Sequence, residues 1–97
     1  MRLDTTHIGV GMLDTVTAEI RNFIVTNFLF GQDGKSFSDE QSFLDNGIID
    51  STGLLELVSF VEQQYGIAVA DRELVPENLD SLRNISRFVV AKRSTQA

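Results

Sequence analysis

An all-α fold is predicted for this chain, a small bundle of three main helices and one short helix with a long first loop. Three observations carry the prediction. Apolar residues recur at three- and four-residue intervals in three separate stretches, which puts each set on one helix face. Asp, Ser, Gly and Pro stand where those stretches must begin or stop. The apolar link Ile67-Ala68-Val69 is too brief to form a strand of useful length.

Residues 1–13 show no sustained periodicity, include Gly9 and Gly11, and are expected to be a flexible tail. A folded domain is expected over residues 14–93, with a second short tail at 94–97. Asp14 is a suitable N-cap for the first helix, since a carboxylate is favoured at the positive end of the helix dipole. Val16, Ile20, Phe23, Ile24 and Phe28 then share one face, and Gly31 and Gly34 mark the end by about Phe30. From Gly31 to Asp50 no periodic pattern of useful length appears. So long a connection is unusual in a compact domain unless it is functional. Phe37, Phe43, Leu44, Ile48 and Ile49 are apolar anchors along it, so a packed loop is expected rather than a tether. Asn46-Gly47 is a turn signal, because both residues tolerate positive φ.

The second helix is expected from about Ser51 to Tyr65. Leu54, Leu57, Val58, Val61 and Tyr65 form the clearest helical stripe in the chain, and Gly66 is a C′ residue. Leu55, Glu56, Ser59 and Glu62 fall on other faces, where Leu55 gives an apolar spot ringed by acid. Pro76 is compatible only with a helix's first turn, so one short helix or turn fits between Asp71 and Leu79. Asp80-Ser81 then caps a last helix with Leu82, Ile85, Phe88 and Val89 inward and Lys92 and Arg93 near its C-terminal end. Ile20, Leu57, Val61, Val69 and Phe88 are read as core.

The length of 97 residues fits a single domain, and a 42% hydrophobic content fits a folded one. The chain has no cysteine and a single histidine, His7, which removes disulfides, thiolate metal sites and most nucleophilic chemistry; no metal site is expected. No apolar run reaches the length of a membrane span and Met1-Arg2-Leu3-Asp4 opens no signal peptide, so a cytoplasmic monomer is expected. The net charge is −6, and between Ser36 and Asp80 ten acidic residues face a single basic one, Arg72. Such a field disfavours nucleic acid and anionic membranes as partners and favours basic protein surfaces.

Within this frame Ser51 stands where the loop turns into the second helix. Asp50-Ser51 is an ordinary helix start, since both residues are good N-caps. A catalytic serine needs a base and oxyanion donors, and no Gly-x-Ser-x-Gly elbow surrounds Ser51. As an acceptor modified by another enzyme, Ser51 needs only exposure, a rigid base and a docking surface. A phosphodiester formed there lies at the positive end of a helix. The chain is read as a non-enzyme.

The run Phe43-Leu44-Asp45-Asn46-Gly47-Ile48-Ile49-Asp50-Ser51, followed by Glu56-Leu57-Val58, resembles the attachment region of acyl carrier proteins. The resemblance extends from about Val16 to Val90 and includes the Leu79-Asp80-Ser81-Leu82 start of the last helix. It implies an acyl-carrier-like bundle with 4′-phosphopantetheine joined covalently to the Ser51 hydroxyl, flanked by Asp50 and Thr52. It implies a phosphopantetheinyl transferase as partner, together with an acyl- or aminoacyl-loading ligase and downstream acyltransferases or synthases. Asp50, Leu55, Glu56 and Glu62 match the family's partner-facing positions.

Many fatty-acid carriers have Asp-Ser-Leu followed by an acidic residue, whereas this chain has Thr52 and Gly53. Glycine in the first turn costs about 1 kcal/mol relative to alanine. The Asp-Ser-x-Gly pattern is similar to D-alanyl and other specialised carriers. The function expected is therefore an acyl carrier of a specialised lipid or secondary-metabolite pathway. The alternatives are an aminoacyl or D-alanyl carrier and, more distantly, a helical interaction module without an arm.

Overall fold

The computed structural model describes residues 8–29 and 37–96. Among the described residues four α-helices follow in order: α1 (Ile8–Asn27), α2 (Ser51–Tyr65), α3 (Pro76–Leu79) and α4 (Leu82–Gln96), with a 3₁₀ turn at Asp71–Glu73 before α3. No strand occurs among the described residues. The predicted all-α bundle is the observed one.

The stripes meet in one core. Val16, Ile20 and Ile24 from α1, Leu57 and Val61 from α2, and Leu82, Ile85 and Val89 from α4 are all essentially buried. The expected core residues Val69 and Phe88 pack against that core at its edge and keep some exposure. α4 is the central scaffold: it packs chiefly on α1, then on α3 and α2.

Two helix boundaries differ from expectation. α1 begins at Ile8, so Asp14 lies within the helix and does not cap it, and residues 8–13 are not a tail. Met12, one turn before Val16, packs against the core and extends the stripe backward. At the other end α4 continues through Gln96 where a tail was expected from 94. Ser94 and Thr95 turn their hydroxyls onto the carbonyls of Val90 and Ala91, one turn back. Residues 1–7, Gly31, Gly34 and Ala97 lie outside the described residues.

Over residues 37–50 the first loop is packed. Phe43 is fully buried, and Phe37 and Ile49 nearly so. Truncating a side chain buried like Phe43 costs about 3–5 kcal/mol, several times the worth of any one cap. Leu44 departs from the expected anchors: it is 40% exposed. This segment is pinned at its start and in its middle. Arg21 of α1 donates to the Phe37 carbonyl at 3.1 Å and lies over the Phe37 ring. Asp80, just before α4, accepts the Leu44 N–H at 2.9 Å and the Ser42 hydroxyl. The cap of α4 is Ser81, whose hydroxyl accepts the Asn84 N–H at 3.1 Å, so Asp80 is free to hold the loop.

Gly47 and Gly66 both adopt φ of +66°, the left-handed conformation that side chains resist. Gly47 closes the turn after Leu44, and Gly66 ends α2 by donating to the Glu62 carbonyl at 3.0 Å. Pro76 is the first residue of α3, as its missing N–H requires.

Candidate functional site

The buried turn at Phe43–Ile49 delivers the chain to α2 at a fixed angle. Ile48 donates its N–H back to the Phe43 carbonyl at 2.9 Å, and Ile49 is buried immediately before the helix. Asp50 follows as the N-cap, extended at φ −87° and ψ 179°, and its carboxylate accepts the Gly53 N–H at 2.7 Å. The Asp50 carbonyl accepts the Leu54 N–H at 2.9 Å, the first helical bond. Ser51 is thus the first residue of the helix proper, and it is exposed. Because Asp50 performs the capping, the Ser51 hydroxyl is not needed for it. The first N–H groups of a helix have no intrahelical acceptor, and together with the dipole they favour a negative charge at this end.

Helical spacing sets two neighbouring stripes on α2, the first running along the border with the core, where Val58 is buried, and the second exposed. Ser51, Leu55, Val58 and Glu62 follow one another at four, three and four residues; Thr52, Glu56, Ser59 and Gln63 form the neighbouring stripe. Ser51 and Leu55 are brought together on one groove, and Leu55 is 59% exposed. Glu56 is exposed beside them and Thr52 precedes it on its own stripe. Glu62 stands three turns from Ser51, half-buried, and one of its oxygens accepts the Val69 N–H at 2.9 Å. That bond fastens the link after α2.

The groove has a volume of about 320 Å³ and an almost wholly apolar lining. Ser51, Leu54, Leu55 and Val58 form one wall; Leu74, Val75, Pro76 and Leu79 form the other, with Leu44 at the edge. The wall opposite Ser51 is braced by Glu73. Its carboxylate accepts the Ala70 N–H at 2.9 Å and the Lys92 ammonium of α4 at 2.9 and 3.1 Å. Those two donors, the Ala70 N–H first, hold the Glu73 carboxyl below its usual range, against an opposing effect of burial. A larger depression, lined by charged Glu40, Glu77, Asp80 and Arg83 among others, does not include Ser51.

Sequence reasoning missed Leu44, Leu74, Val75, Pro76 and Leu79 as groove residues. The available signal was the run Leu74-Val75-Pro76, three apolar residues between acidic Glu73 and Glu77. It also missed what surrounds Gly53, which is buried. A Cβ there would stand 2.8 Å from Cγ2 of Ile49 and 2.8 Å from Cε1 of Phe28. The glycine is required by space and not by backbone conformation.

Compared with known proteins, residues 29–89 match the family model described as the phosphopantetheine attachment site. None of the curated proteins matches the chain significantly.

Proposed function

Because this chain belongs to the phosphopantetheine attachment-site family, we propose that it is an acyl carrier whose arm is joined to the Ser51 hydroxyl. Members of this family carry 4′-phosphopantetheine covalently and are carriers, not catalysts; a phosphopantetheinyl transferase and the enzymes that load and unload the arm are their partners. When bound, the group supplies a terminal thiol that holds acyl groups as thioesters.

The residues around Ser51 fit that group. The hydroxyl is exposed on the first residue of a helix whose far side is anchored in the core. Asp50 keeps the turn closed, and Ser51 and Thr52 present backbone N–H groups toward a phosphodiester at the favoured end of the dipole. Leu55 and Glu56 offer a partner an apolar contact beside a negative charge; Asp50 and Glu62 complete the docking side in this reading. The transferase brings the base and its magnesium ion, so nothing on this chain must activate the serine.

The observation that carries an acyl cargo is the apolar groove beginning at Ser51. Leu54, Leu55, Val58 and Leu74 can cover a short apolar chain outside the core, without displacing the packed residues beneath. The Asp-Ser-x-Gly motif favours a second reading, an aminoacyl or D-alanyl carrier, whose small polar cargo makes little use of this groove. A loading ligase and downstream acyltransferases or synthases of a specialised lipid or secondary-metabolite pathway follow from the first reading. The cytoplasm is the compartment proposed for it. Among the described residues no helix is long and apolar enough to cross a membrane.

The test is to incubate the apo chain with a broad-specificity transferase and either octanoyl- or alanyl-coenzyme A. Intact mass is then compared between the chain and Ser51→Ala, and amide shifts are recorded. An acyl carrier gains one acyl-phosphopantetheinyl group, loses that gain in Ser51→Ala, and shows octanoyl-dependent shifts at Leu55, Val58 and Leu74. Equal shifts with both cargoes refute the acyl assignment. No mass gain, under conditions that modify a control carrier, leaves an interaction module without an arm.

A further inference from the structure

We propose that Phe28 is a positioning residue for the Ser51 turn and acts through Gly53. The proposal rests on Ser51 being the attachment residue. Phe28 follows the last residue of α1, yet its ring edge reaches the first turn of α2. It fills the space that any side chain at position 53 would take, with Cε1 2.8 Å from the place of a Cβ. Ile49 closes the same space from the loop, and Asp50 Oδ1 lies 3.2 Å from it. Loop, cap and α1 therefore converge on one backbone position two residues after Ser51.

The ring is itself held. Phe28 meets Phe23 edge to face, with centroids 5.9 Å apart and planes at 72°. Phe23 stacks on Phe60 of α2, with centroids 4.1 Å apart and planes at 15°. Phe23 of α1 and Phe28 just after it thus grip α2 at two points, Phe60 and Gly53, separated by two helical turns. Two contacts along one helix fix its rotation as well as its distance, and rotation decides where the Ser51 oxygen points. The residue at position 53 then contributes no side chain to the surface beside Ser51.

The geometry is selective in what it tolerates. A ring backed by another ring cannot swing aside as a flexible side chain would, and the Ile49 branch is buried. A methyl group on Gly53 therefore moves the first turn of α2 as a unit and carries Ser51 with it. Shrinking Phe28 gives that methyl room and returns the turn toward its place.

The experiment is a double-variant cycle on the full apo chain: Gly53→Ala, Phe28→Leu, and both together. A broad-specificity transferase is used at saturating coenzyme A, and folding of each variant is checked by thermal unfolding. In Gly53→Ala kcat for arm transfer is expected to fall, toward the roughly hundredfold loss that a reacting group misplaced by about 1 Å can cost, with KM for coenzyme A unchanged. The paired variant is expected to recover most of that loss, although it carries two substitutions. Should Phe28→Leu perturb folding, Phe28→Tyr keeps the ring and is expected to match the parent chain. Additive losses in the paired variant, or a Gly53→Ala chain that is folded and transfers at the parental kcat, overturn the positioning role. If the parent chain itself accepts no group, it is the attachment reading that fails, so the two failures are distinguishable.

Discussion

The Asp50 carboxylate accepts the Gly53 N–H at 2.7 Å, and this bond spans Ser51 without using it. The residue that closes the helix and the residue proposed to carry the arm are neighbours with separate tasks. Asp50→Ala is expected to cost about 1 kcal/mol, whereas Asp50→Asn keeps most of the cap, because the amide oxygen can accept the same N–H. Urea unfolding of the three chains checks this. Equal midpoints for Ala and Asn would show that the charge, and not the capping oxygen, matters.

Tyr65 near the end of α2 donates its hydroxyl to Glu19 of α1 at 2.7 Å, and Arg93 of α4 lies over its ring. Burial first, then the bond to Glu19 and its charge, push the phenol above its ordinary range; Arg93 offsets part of this. The folded state thus favours the protonated phenol. Its contribution to stability is complete below the ordinary tyrosine pKa of about 10 and is lost only as pH rises through the elevated folded value. The chain has one tyrosine and no tryptophan, so the tyrosinate absorbance reports this group alone. No ionisation is expected at about pH 10 while the helices persist, and half-ionisation there would contradict the burial argument. Tyr65→Phe is expected to cost about 1 kcal/mol, the net worth of one hydrogen bond.

The Glu73–Lys92 pair has side-chain exposures of only 22% and 17%, which distinguishes it from the exposed Glu40–Arg83 pair. The lowered Glu73 pKa means that the ionised carboxylate is the form the fold favours. Its contribution is full above the ordinary glutamate range and disappears as pH falls through the lowered value. The melting temperature of Glu73→Gln is therefore expected to be less sensitive to acid than that of the parent chain. Parallel pH profiles for the two would remove Glu73 from this role. Because Glu73 braces Leu74 and Val75, amide exchange in the groove wall should also quicken in the variant.

Glu56→Lys is expected to slow transfer by partner enzymes while leaving helicity intact, since its side chain is exposed. The loss should shrink as salt is raised, because a surface contact of this kind is screened within about 8–10 Å at moderate ionic strength. Transfer rates that do not vary with salt in either chain would exclude an electrostatic contact at this position.

Much of this architecture is local and so was legible in the chain. The stripe Leu54, Leu57, Val58, Val61 and Tyr65 needs only the helical period, and Gly66 needs only its tolerance of positive φ. Asp50-Ser51 marked the start of α2 for the same reason, although the division of labour between the two residues had to be observed. What stayed hidden depends on distant pairs. Tyr65 and Glu19 are 46 residues apart, and Ser42 and Asp80 are 38 apart. Gly53 looked like a cost to the first turn, and its cause lies in Phe28, 25 residues earlier. Nor does periodicity forbid a helix from starting at Ile8, since glycines weaken a helix without stopping it when the remaining face packs. Leu74 gave no periodic signal because a groove wall built from a 3₁₀ turn and a four-residue helix has no period to read.

Attachment of the arm at Ser51 is tested most directly on the protein as its host makes it. Protein purified from its host is digested, and the peptide containing Ser51 is sequenced by fragmentation mass spectrometry. The expected result is one phosphopantetheinyl group on Ser51, accompanied by a single reactive thiol per chain that cannot come from cysteine, because the sequence has none. A group found on any other serine, or an arm retained by Ser51→Ala, would contradict it.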